Sequence, residues 1–247
     1  MFEVDPVPVW SYWQGPLPPW RYLCLKTLRK HVPGITILTP ETWQDVRKDD
    51  LGWKLNRLAP NIISDFVRAH QLFHYGGIWV DADCIAFRDL RPIADRLEKY
   101  DFVTYRAGKP SRQICSALIA SRAGGAIACE YLGEMTRLLK SGRKLGPLTL
   151  GPNVLVKAEK LACRKVPRTW MDRVPTSQVH PIHWRQPEAF HRRATDERHA
   201  RYFKHNVDPF CCMLTAGSLR EMRHWDEDKL LKSDTLFSYL LRTALAN

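Results

Sequence analysis

Apolar positions along the chain follow two alternating rhythms: short runs with the character of buried strands, and longer stretches in which they return every three or four residues. Residues 8–13 predict a first strand, closed by Gly15-Pro16 and Pro18-Pro19. Over residues 20–31, Tyr22, Leu23, Leu25 and Leu28 recur among lysines and arginines, the spacing of one helix face. Pro33-Gly34 ends that helix, and residues 35–38 read as a second strand stopped by Pro40. A strand, helix and strand in this order imply a parallel pair with a right-handed crossover.

The helical rhythm resumes at Ser64, with Phe66, Val67, Ala69, Leu72 and Phe73 on one side. Ser64 reads as the N-cap and Asp65 as a first-turn acid that suits the helix dipole. Gly76-Gly77 ends this helix, and residues 78–80 form a third strand candidate. Further strands are expected at 102–105 and 116–120, and a helix at 126–139. Gly151-Pro152-Asn153 reads as a turn entering another helix. Beyond Pro167 the strand signals weaken, residues 183–204 are dense in arginine and histidine, and 233–246 form an amphipathic helix. With no internal repeat or linker, this predicts one α/β domain over residues 1–247 with a mostly parallel sheet flanked by helices.

Composition narrows the partners. Hydrophobic residues make up 45% of the 247, enough for a sizeable core and too many for a disordered chain. Lys and Arg exceed Asp and Glu by 12, a field that favours anionic ligands such as nucleotide phosphates, nucleic acid or an acidic membrane surface. No apolar run approaches the roughly 18 residues of a membrane span, and the N-terminus lacks a leader pattern, so a cytoplasmic chain is expected. The seven cysteines are odd in number and without C-x-x-C spacing, which points to buried free thiols in a reducing compartment.

The chemistry concentrates at Asp81-Ala82-Asp83. Carboxylates at i and i+2 of an extended segment project to one side, and two hard oxygen donors suit Mg²⁺ or Mn²⁺ completed by water and phosphate. Such an ion neutralises a leaving diphosphate, and the crevice of an open α/β sheet lies where this pair falls. Asp65 and Arg68, three apart, share a helix face. They read either as a surface ion pair or as donors and acceptors for a sugar and its phosphate.

The run Ser64-Asp65-x-x-Arg68…Tyr75-Gly76-Gly77-Ile78-Trp79-x-Asp81-x-Asp83 resembles the DXD sugar-binding region of glycosyltransferase family 32. The opening Pro8-Val9-Trp10-Ser11-Tyr12-Trp13-Gln14-Gly15-Pro16 is similar to the first strand of capsular members, and Gly151-Pro152 resembles the family's Gly-Pro before a helix. The resemblance implies a GT-A (Rossmann-like) fold, with about 1–125 holding the nucleotide sugar and about 126–247 facing the acceptor. It implies a metal-dependent, retaining transfer of a hexose from a nucleotide-diphosphate sugar, with a UDP-sugar the expected donor. The acceptor would be a hydroxyl of a glycan or lipid-linked molecule in surface or capsular polysaccharide synthesis. Carried over by residue, Trp13 stacks on the base, with Tyr12, Gly151, Pro152 and Asn153 beside the donor. Asp65 and Arg68 hold the sugar, Asp81 contacts ribose or sugar and helps with the metal, and Asp83 is the main metal ligand; these four form the catalytic set.

The C-terminal part departs from that pattern. Cys211-Cys212-Met213-Leu214-Thr215-Ala216-Gly217-Ser218 stands where the family has a His and a Gly-Ser-Trp-like stretch, leaving His205, Asn206 or Ser218 as substitutes. His180 and His183 fall on opposite faces of an extended segment, which disfavours zinc. The basic residues between Arg185 and Lys204 suit either a solvated face or peripheral contact with an acidic membrane. Two other readings exist: a nucleic-acid-binding protein or nuclease, and a non-catalytic relative. A nuclease usually carries a larger carboxylate cluster, and no nucleic-acid-binding motif occurs, so no specific nucleic acid is expected.

Overall fold

A computed structural model of the chain describes residues 7–48, 55, 58–106, 114–143, 150–165, 171–183, 185–194, 208–214, 219 and 221–246. The first unit follows the expected pattern: strand β1 (Val9–Tyr12), helix α1 (Pro19–His31) and strand β2 (Thr36–Leu38), with β1 and β2 parallel. Proline at the first turn of α1 suits a position whose N–H would be orphaned anyway. Helix α2 (Pro40–Val46) follows, closed at its start by a capping box between Thr39 and Thr42.

Helix α3 (Pro60–His74) leads to strand β3 (Gly77–Val80). Its start corrects the expectation from Ser64. Ala59 is the extended cap residue and Pro60 opens the helix, so Ser64 and Asp65 sit a full turn inside it and no acid occupies the first turn. The preset φ of proline outweighs the capping preference of a serine further along.

Strand β4 (Cys84–Ala86) comes next, followed by β5 (Phe102–Thr104), β6 (Leu118–Ser121) and helix α4 (Ala126–Lys140). Helix α5 (Pro152–Lys165) precedes β7 (Met171–Arg173) and β8 (Cys211–Met213); helices α6 (Glu227–Lys232) and α7 (Leu236–Ala246) close the described chain. The main sheet has the order β2-β1-β3-β6-β5-β7, and β6 runs against its neighbours β3 and β5. Strands β4 and β8 form a separate antiparallel pair.

Strand β3 shows why its sequence is apolar throughout. Trp79 faces the layer containing Phe66, Leu72, Phe102 and Tyr131, while Ile78 and Val80 face Val9, Val103 and Ala120 on the other side. A third cluster gathers Leu23, Cys212, Phe237 and Leu240 beneath α1 and α7. All seven cysteines are free, but only four are fully buried; Cys129 and Cys163 are exposed on α4 and α5, which corrects the expectation that the thiols are interior. Among the described residues no helix is long and apolar enough to cross a membrane. The second half of the basic segment, residues 195–204, lies outside the described residues, as do His205, Asn206 and Ser218.

Candidate active site

The site begins at a turn. Gly76 and Gly77 adopt φ of 67° and 90°, a region that side chains disfavour. The Trp10 indole N–H donates to the Gly76 carbonyl at 2.9 Å, and Ile78 N–H donates to the Pro8 carbonyl at 2.9 Å. These bonds set β3 beside β1. At the far end of β3, Asp81 N–H still reaches the Ala117 carbonyl, and there the chain leaves the sheet. Asp81 and Asp83 therefore stand just beyond the carboxyl end of β3, the usual crevice position of an open α/β sheet.

Three charges from α3 and this loop form one chain. Arg68 donates through Nη1 to Asp65 Oδ1 at 2.6 Å and through Nη2 to Asp81 Oδ1 at 2.7 Å. The Trp79 indole N–H adds a third short bond, 2.7 Å, to that same Asp81 oxygen. Both side-chain hydrogen bonds to Asp81 thus land on Oδ1, and Oδ2 accepts none from the described residues. Asp83 takes a separate cation: its Oδ2 lies 3.5 Å from Nη2 of Arg21.

Burial opposes the charge on Arg68, yet Asp81 and Asp65 together push its pKa up. Asp65 moves the other way from a simple ion pair. Burial, with nearby Asp81, raises its carboxyl to about 6 although Arg68 pulls it down. One guanidinium shared by two carboxylates leaves Asp65 under-compensated. Burial and Asp81 likewise raise Asp83 to about 6, against the pull of Arg21.

A cleft of about 630 Å³ is lined by Tyr12, Trp13, Asp65, Arg68, Asp81, Asp83 and Pro152. Seven of the nine residues expected from sequence thus share one cavity wall. Gly151 lies just behind it: a Cβ there would come within 3.2 and 3.3 Å of the two Asp65 carboxylate oxygens. Asn153 is exposed on α5 and does not line the cleft, because Pro152 opens the helix and turns the next residue outward. Gly151→Ala is expected to push Asp65 off Arg68 and reduce turnover at this site by roughly tenfold with the melting temperature nearly unchanged. An unaltered KM and kcat in that variant would show that Asp65 has room to yield.

Sequence reasoning missed Arg21, Gln14, Asn61 and Ser116, which also line the cleft. Arg21 is the most consequential. Its guanidinium carbon sits over two indole rings, 4.1 Å from the centroid of Trp13 and 4.3 Å from that of Trp20. The density of tryptophan in residues 10–20 was the one available signal.

The donor set suits a hard divalent cation. Asp83 and the unbonded Oδ2 of Asp81 offer oxygens at the crevice, and such an ion takes its other positions from water and phosphate. No group of three metal-ligating side chains occurs among the described residues. Leu214 N–H donates to the Asp83 carbonyl at 2.9 Å, so β8 delivers the C-terminal segment directly beside the pair.

The fold is that of GT-A glycosyltransferases, as its likeness to a solved glycosyltransferase structure shows. Residues 9–128 match the family described as capsular polysaccharide synthesis protein. The glycosyltransferase GlyE of Streptococcus pneumoniae TIGR4 is similar in structure, with a TM-score of 0.51 and 11% identity, covering 98% of this chain and 60% of GlyE. The chain thus spans three fifths of that relative's length. PaToxG glycosyltransferase gives a TM-score of 0.43 at 17% identity over 66% of this chain and 71% of its own. The galactosyltransferase LgtC gives 0.47 at 8% identity over 96% and 95%. No curated protein matches the chain by sequence.

Proposed function

We propose that the chain is a metal-dependent, retaining glycosyltransferase that moves a hexose from a nucleotide-diphosphate sugar to a hydroxyl acceptor in capsular or other surface polysaccharide synthesis. A UDP-sugar is the expected donor, and the acceptor is a glycan or a lipid-linked glycan. The observation that carries this reading is the single cleft that gathers Trp13, Asp65, Arg68, Asp81 and Asp83 at the carboxyl end of β3.

The roles that the resemblance implies are compatible with this geometry. Trp13 offers an indole surface for the base. Asp65 stands on α3 as an acceptor for sugar hydroxyls, oriented by its 2.6 Å bond to Arg68. Asp81, pinned through Oδ1, and Asp83 hold Mn²⁺ or Mg²⁺; when bound, that ion neutralises the charge developing on the leaving diphosphate. Groups fixed before the substrate arrives stabilise that charge without reorganising.

Asp83→Asn tests the reading. It keeps the size of the side chain and removes the charge, so turnover with Mn²⁺ at saturating donor is expected to fall about a hundredfold, roughly 2.7 kcal/mol of barrier. Near-normal turnover in the variant would remove Asp83 from the metal site.

A further inference from the structure

The cleft holds two guanidinium groups, and they are not in the same condition. Arg68 is spent. Both terminal nitrogens are engaged by carboxylates at 2.6 and 2.7 Å, and only 4% of its side chain is exposed. Arg21 is not. Its ion pair with Asp83 is 3.5 Å long, well beyond the 2.7–2.9 Å of a strong charge-assisted bond, and 17% of its side chain opens onto the cleft. Its buried Nε has no hydrogen-bond partner among the described residues, which is equally true of Arg68, so the difference between the two lies in their terminal nitrogens.

The surroundings of Arg21 explain how an under-bonded cation stays in place. The rings of Trp13 and Trp20 both lie against the guanidinium, which fixes its plane and contributes cation–π attraction without consuming a single N–H. A flat, oriented fork with free donors is the geometry that recognises phosphate oxygens. The alternatives for this group account for less. An ion pair serving stability alone has no need of so long a contact.

We propose that Arg21, not Arg68, is the cation of this cleft that binds the diphosphate of the nucleotide ligand. On binding, Arg21 trades its long contact with Asp83 for phosphate oxygens, which leaves the Asp83 carboxylate to the divalent ion. Until then Arg21 acts as a resident counter-ion that neutralises Asp83. Trp20 is part of the same device, because its ring also lies against the guanidinium. This rests on the nucleotide-sugar reading above.

The test measures binding, not turnover. Affinities of UDP, GDP and CDP, each against its monophosphate, are compared by calorimetry in wild type, Arg21→Gln and Arg21→Lys, with and without Mn²⁺. The wild type is expected to prefer one diphosphate over its monophosphate in the absence of metal. Arg21→Gln should lose that preference by about tenfold or more while monophosphate affinity stays near wild type. Arg21→Lys keeps the charge and lacks the fork, so it should retain part of the preference; it also decides the matter if the Gln variant does not fold. An undiminished preference in both variants overturns the role of Arg21 and leaves the donor reading standing. Equal weakening of mono- and diphosphate also overturns it, because the loss would then lie in the Trp13 base site. A wild type that binds none of the nucleotides, with or without Mn²⁺, overturns the donor reading itself.

Discussion

Arg68→Met is expected to destabilise the protein by about 3 kcal/mol at pH 8, with most of that loss relieved near pH 4. Removing one partner of a buried ion pair strands the other, and here two carboxylates are stranded, Asp65 and Asp81. The sign follows from Asp65. Its carboxyl rises from an ordinary value of 3.8 to about 6 in the fold, so the unfolded chain releases its proton first. Stability from that group is full below about 3.8 and is lost as pH rises through about 6. Without Arg68 the folded value climbs further, and the loss extends into the neutral and alkaline range. Urea denaturation of both proteins from pH 4 to pH 8 checks this: the gap in midpoint should widen steadily with pH. A constant gap would mean that the methionine damages packing and not charge balance. Donor turnover in the variant should fall by about a hundredfold even at the pH where it is most stable, since Asp65 and Asp81 lose the group that aims them.

The parts of this site that lie close together in the chain were legible from sequence; those assembled from afar were not. Gly76-Gly77, the apolar run of β3 and the two aspartates follow one another, so period and turn chemistry alone placed the carboxylates at a strand end. Helix α3 was legible as a helix but not at its start, because a capping preference is a weak signal beside the fixed φ of Pro60. Strands β4 and β8 were invisible for a different reason. Each is three residues long and pairs with the other across more than a hundred positions, too short a run for any periodicity to show. Arg21 likewise meets Asp83 across 62 residues, and in the sequence it is one of several lysines and arginines between the apolar positions of α1. Gly151 could be read as a turn residue. That it abuts the Asp65 carboxylate is a fact of packing between α3 and the start of α5.

Gly77→Ala is expected to be the most damaging alanine substitution among the described glycines, costing about 4 kcal/mol or more. Two effects combine. Alanine at φ +90° is strained, and its Cβ would stand 2.1 Å from the Pro8 carbonyl oxygen and 2.8 Å from the Pro8 ring. That carbonyl accepts from Ile78 N–H, so the methyl cannot be accommodated without parting β3 from β1 at its first bond. Gly142 provides the control, since it has φ +69° with nothing within 4 Å of its would-be Cβ; Gly142→Ala should show the backbone strain alone, about 1 kcal/mol. The difference in urea midpoint between the two variants isolates the close approach, and equal losses would show that the contact with Pro8 relaxes freely. The consequence for function follows the strand. Asp81 and Asp83 are carried on the end of β3, so any Gly77→Ala protein that still folds should have lost Mn²⁺ affinity, whereas the Gly142→Ala protein should keep it. A folded Gly77→Ala protein with normal Mn²⁺ affinity would mean that the Ala117 bond to Asp81 holds the carboxylates in place without help from the turn.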